Sequence, residues 1–160
     1  ARRRRPPATA RAAALAAVWA LAGAGCLDAL GPDVGPLVND GGTCDQVDSN
    51  PGLDVHFQTD LLDGVFAAED IDCARCHTGD GDGVQISGFD LSTYASLRLG
   101  GARSGTAIVI PGDPCASILA QKLGESPPFG ERMPRNGPPY LSTAQLQQVR
   151  DWITEGARDN

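Results

Sequence analysis

Five consecutive positions, Cys73-Ala74-Arg75-Cys76-His77, constrain this 160-residue chain more than any other feature. The chain holds five cysteines and two histidines in all. A shuffled sequence of that composition would contain C-x-x-C-H only about 0.002 times. Two thiols three positions apart on one helical turn reach the two vinyl groups on one edge of a porphyrin, and the next imidazole then lies under the iron. The motif is read as the attachment site of one haem c, with Cys73 and Cys76 as thioether residues and His77 as proximal iron ligand. Other readings fit worse. A zinc site needs four ligands, and no second Cys/His pair exists. A thioredoxin-like redox pair belongs in a βαβ pattern, which is absent. Three-residue spacing suits few disulfide geometries.

A haem iron held by His77 needs a sixth ligand or an open site. Met133 is the single methionine, and it stands in a stretch, Gly124 to Pro139, that holds five prolines and three glycines in sixteen residues. A soft thioether in a stiff, irregular loop is better placed for ligation than for core filling. Pro134 follows it and biases the backbone there toward extended. Met133 is therefore the expected distal ligand. Two alternatives stay open: His56, the other histidine, giving a bis-His haem, and a five-coordinate iron.

Charge is unevenly distributed. Arg2, Arg3, Arg4, Arg5 and Arg11 are five of the thirteen basic residues, and no acidic residue precedes Asp28. An apolar run of eleven, Ala12 to Ala22, follows, then Gly23-Ala24-Gly25-Cys26. Basic, apolar and small residues in that order make a secretory signal over residues 1–25. The run is too short for a membrane span, which needs about 20 residues. Small residues before Cys26 also resemble a bacterial lipoprotein processing site, although Gly23 stands where leucine is usual. Cys26 is then the lipidated residue, and two or three acyl chains would anchor the product to a membrane. From Cys26 onward there are eight basic and twenty acidic residues, net −12. Such a surface repels nucleic acid and suits redox partner proteins with a basic docking face.

Residues 26–52 are rich in Gly, Pro and Asp without apolar periodicity and read as a flexible tether; residues 53–160 form the haem domain. Four helices are expected. One spans His56 to Ala68, with Gly64 marking a close crossing, guessed to lie against Trp152. The second spans Ser92 to Leu99 and stops at Gly100-Gly101. The third is capped by Asp113 and runs through Pro114 to Lys122. The last opens on the capping box Ser142-Thr-Ala-Gln145, carries Leu146, Val149 and Ile153 on one face, and stops at Gly156. Thr106 to Ile110 looks like a short strand. Asp80-Gly-Asp82-Gly lacks an EF-hand's glutamate at the twelfth position, where Leu91 stands, and reads as a solvated turn. The fold class is small all-α with long loops. Cys44 and Cys115 remain, and in an oxidising compartment they are expected to pair rather than persist as buried thiols.

From Phe66 to Ala157, nearly 60% of the chain, the sequence resembles the class I mono-haem cytochrome c domains, in particular the lipoprotein-borne kind of planctomycetes and myxobacteria. The resemblance rests on the haem motif, Gly88-Phe-Asp-Leu-Ser92, Ile110-Pro-Gly-Asp-Pro-Cys-Ala-Ser117, Arg132-Met-Pro134, Leu141-Ser142 and Trp152-Ile-Thr-Glu-Gly-Ala157. It implies a helical fold wrapped around one covalent haem, with Cys73 and Cys76 as thioethers and His77 and Met133 as axial ligands. It also implies that the helix before the motif crosses the C-terminal helix. Cys115 is a departure, since that position need not be cysteine. The expected function is single-electron transfer through Fe(II)/Fe(III) by an exported, lipid-anchored carrier rather than an enzyme. The alternatives are a haem-based ligand-binding or sensor module and a haem subunit of a larger oxidoreductase complex.

Overall fold

The C-terminal helix has boundaries set by its own residues. Ser142 Oγ accepts from the Gln145 amide at 3.3 Å, and Gln145 Oε1 accepts from the Ser142 amide at 2.8 Å, so the capping box is closed from both sides. The helix runs from Thr143 to Thr154, and Gly156 beyond it adopts φ 102°, a left-handed conformation that glycine takes freely. Its buried face carries Val149, Trp152 and Ile153.

A computed structural model describes Cys44 and residues 47–160. In chain order the helices are α1 (Phe57–Phe66, wound as a π-helix), α2 (Cys73–His77), α3 (Asp82–Ser87), α4 (Tyr94–Leu99), α5 (Ile118–Leu123) and α6 (Thr143–Thr154), with a 3₁₀ turn at Gly105–Ile108 before α5. Among the described residues there is no strand, and the fold is all-α. The expected signal over 1–25, the lipidation site Cys26 and most of the expected tether lie outside the described residues.

Helix α1 packs on α6, but not through Gly64. Its buried residues are Phe57, Leu61, Val65 and Phe66, and the four-residue spacing of the first three matches a winding looser than an α-helix. Gly64 falls on the exposed side, where an added Cβ would meet only Thr59 O at 3.2 Å. The contact is aromatic instead: the Phe57 ring lies 5.5 Å from Trp152 and 5.4 Å, edge-on, from Tyr94. The Trp152 indole N–H donates to Arg158 O at 2.9 Å and the Tyr94 hydroxyl to Ala157 O at 2.7 Å, so the buried polar atoms of this junction are paired.

Two local expectations change in three dimensions. Thr106 to Ile110 is not a strand: Gly105–Ile108 forms a 3₁₀ turn, and a five-residue run with four β-branched residues finds no second strand among the described residues and so no ladder to join. Ile108 and Val109 are buried in the core instead. Helix α5 starts at Ile118, not after Asp113. Asp113 caps a separate turn, accepting from the Ala116 amide at 2.9 Å, and fully buried Ser117 then links Ile110 to Asp113 through its hydroxyl. Helix α4 begins after a second capping box, Thr93 with Ser96, and ends at Gly100.

The chain before α1 is tied to the C-terminal region. Cys44 is disulfide-bonded to Cys115, with the Cα atoms 5.7 Å apart. The Ser49 amide donates to Asp151 at 2.9 Å, and the Val55 amide to Glu155 Oε2 at 2.8 Å.

Candidate functional site

Asp72 takes a left-handed conformation (φ 41°) and accepts from the Arg75 amide at 3.2 Å, which starts α2 at Cys73. One short helix therefore carries the whole C-x-x-C-H motif. Cys73 and His77 line a cavity of about 410 Å3; Cys76, half-buried on the same turn, is not on its wall. The volume is that of a small-molecule site. The wall is mostly apolar, built from Phe66, Leu91, Ile108, Leu119, Leu123 and Phe129 among others.

His77 is oriented by a loop the motif does not contain. Its Nδ1 lies 3.1 Å from the carbonyl oxygen of Phe89. A carbonyl only accepts, so Nδ1 carries the proton and Nε2 keeps a free lone pair, the arrangement a metal-binding imidazole needs. The Leu91 amide donates to His77 O at 2.6 Å, and the Phe89 ring stands edge-on to the imidazole at 5.2 Å.

Gly81 and Gly83 shape this seat too, and sequence reasoning passed over both as parts of a solvated turn. The turn leads into α3, which begins at Asp82. A Cβ on Gly83 would lie 2.7 Å from His77 Cε1 and 2.7 Å from Cys76 O; one on Gly81 would lie 2.4 Å from Cys76 O. The available signal was two glycines spaced by one residue just after the motif. Gly83→Ala is expected to cost roughly 1–3 kcal/mol in chemical denaturation by overpacking. Gly52→Ala, where the nearest atom is 4.0 Å away, is expected to stay within about 0.5 kcal/mol.

Met133 lines the same cavity as His77. Helix α5 holds its loop at three points: the Met133 amide donates to Lys122 O at 2.9 Å, Lys122 Nζ donates to Phe129 O at 2.7 Å and also to Glu131 O, and Arg132 Nε donates to Leu123 O at 3.0 Å. Lys122 thus positions the Met133 loop with both backbone and side chain, a role without a sequence signature. His56 is elsewhere. It precedes α1, more than half exposed, with Nδ1 3.5 Å from Asp60, and takes no part in the cavity.

Burial pushes the Cys73 thiol up to about 11. In the haem-free chain its alkylation by iodoacetamide is expected to rise about tenfold per pH unit from 8 to 10, since only the thiolate reacts. A pH-independent rate, followed by peptide mass spectrometry, would contradict a buried thiol. Among the described residues no three His, Cys, Asp or Glu side chains gather as a metal site made by protein alone. No helix among them is long and apolar enough to cross a membrane.

The fold and site define a class: a small all-α domain whose cavity brings together a cysteine, a carbonyl-oriented histidine and a methionine. No protein-family model, curated protein or solved structure matches the chain.

Proposed function

We propose that this chain is an exported, lipid-anchored mono-haem c-type cytochrome of the class I kind, carrying single electrons between partner proteins. The observation that carries the reading is the shared cavity. His77, with Nδ1 committed to Phe89 O and Nε2 left as a ligand, and Met133 face one apolar space beside Cys73. Those donors fit a porphyrin iron: imidazole nitrogen and thioether sulfur are a known axial pair, and an apolar wall suits a macrocycle. Cys73 and Cys76 would hold the haem by adding S–H across its two vinyl groups. The bound group supplies one-electron Fe(II)/Fe(III) chemistry.

The protein's part is positioning and tuning. Phe89 O fixes the His77 tautomer and ring plane, and Lys122 and Arg132 hold the loop that presents Met133. A thioether ligand favours Fe(II) and raises the potential relative to bis-His ligation. Low aromatic content, 5% of the chain, is compatible with this design because the macrocycle supplies core surface. Expression of the full chain with a c-type maturation apparatus tests the reading. One haem is expected to stay attached after denaturation, and Cys73→Ala/Cys76→Ala is expected to lose it. Retention of covalent haem by that double variant, or none in the wild type, would end the proposal. With net −12 beyond Cys26, reduction by a basic partner is expected to slow as salt rises from 0.01 to 0.15 M, where the screening length falls from about 30 to about 8 Å. A salt-independent rate constant in stopped flow would count against electrostatic docking.

A further inference from the structure

We propose that Arg103 and Lys122 form an anion-binding corner of the cavity that receives the carboxylate edge of the porphyrin; this rests on the haem reading above. The charge distribution points there first. The chain beyond Cys26 has only eight basic residues against twenty acidic ones, yet Arg103, Lys122 and Arg135 all line this one cavity. Its only acidic lining residue among the described residues is Glu131, and that carboxylate is engaged by Arg135 Nε at 2.6 Å. Among the described residues neither Arg103 nor Lys122 forms an ion pair at bonding distance, and Glu131 is held by Arg135.

Donor capacity also remains. An ammonium has three N–H donors, and Lys122 directs two of them at Phe129 O and Glu131 O. Arg103 lies over the Phe129 ring, 4.4 Å from its centroid, and the same ring lies 5.1 Å from Lys122 Nζ. Both cations therefore lie beside one aromatic ring on an apolar wall. Two cations so placed repel each other. A carboxylate between them relieves that repulsion and takes charge-assisted hydrogen bonds from both. A haem carries two such groups on the edge opposite its vinyl substituents. With Cys73 and Cys76 holding the vinyl edge, Arg103 and Lys122, which line the same cavity as Cys73 and Met133, would be the cations to receive the carboxylates.

The test separates the corner from the haem reading. The full chain carrying Cys73→Ala/Cys76→Ala is titrated with ferric protoporphyrin and with its dimethyl ester, and each variant is checked for helicity by circular dichroism. The diacid is expected to bind at least tenfold more tightly than the ester, and Arg103→Gln or Lys122→Met to remove most of that preference, while Arg103→Lys keeps it. Equal affinity for the two porphyrins, or a preference that survives both substitutions, would overturn the corner while leaving the haem reading intact. Binding of neither porphyrin by this cysteine-free variant would overturn the corner alone, since the haem reading is decided by covalent attachment in the matured wild type. A second measurement uses the matured chain with attached haem, where Arg103→Gln is expected to lower the midpoint potential by uncovering a negative charge that favours Fe(III). An unchanged potential would also overturn the assignment.

Discussion

In the matured chain, Met133→Leu is expected to give a haem that is still covalently attached but now binds carbon monoxide rapidly when reduced. Leucine keeps the apolar bulk on the cavity wall and removes the thioether that shares the cavity with His77. The fold should survive, because the loop is held by the Met133 amide on Lys122 O, by Lys122 Nζ and by Arg132, none of which involves the thioether. The midpoint potential should fall by a visible part of the roughly 0.8 V range that axial ligands span. Wild-type protein should bind carbon monoxide slowly, limited by loss of the Met133 ligand. Rapid binding by wild type with no spectral difference from the variant would favour a ligand-binding or sensor role over electron transfer. His56→Ala serves as the control and should change neither spectrum nor potential, because that side chain is paired with Asp60 outside the cavity.

The second large effect concerns stability. Cys44 and Cys115 close a loop of 71 residues, and in the chain-entropy model removal of such a cross-link costs about 4 kcal/mol. For a domain of this size that is a fall in melting temperature on the order of 10–20 °C. The bond joins the segment before α1 to the turn that leads into α5, where Gln121 Nε2 donates to Cys115 O at 2.7 Å. Cys44→Ser/Cys115→Ser should therefore lower the melting temperature while leaving haem attachment, which uses Cys73 and Cys76, intact. A calorimetric shift of only a few degrees would mean that the hydrogen bonds from Ser49 to Asp151 and from Val55 to Glu155 hold this segment in place without the bond.

Much of the architecture was legible because it is local. Ser142 with Gln145, Gly156, and Gly100 after Leu99 each act within one helical turn, so their sequence spacing is nearly their spatial spacing. The same holds for C-x-x-C-H, which places three reactive groups on one turn whatever the remainder of the chain does. Expectations failed where the outcome depended on a distant partner. Thr106 to Ile110 had strand composition but no second strand among the described residues, and became a 3₁₀ turn followed by buried residues. Gly64 suggested a helix crossing, whereas the winding of α1 put Phe57 on Trp152 and left Gly64 outside.

The sequence by itself determined the reactive set: two cysteines and a histidine at fixed spacing, and a single methionine in a proline-rich loop. Only the tertiary structure decided which of the two possible distal ligands shares a cavity with His77, which carbonyl fixes the tautomer of that imidazole, and which atoms would crowd a Cβ at Gly81 and Gly83. The physical reason is range. Capping and turn preferences act over three or four residues. The seat of His77 depends instead on a contact twelve residues away at Phe89, and the Met133 loop on one eleven residues away at Lys122, and packing alone brings those atoms together.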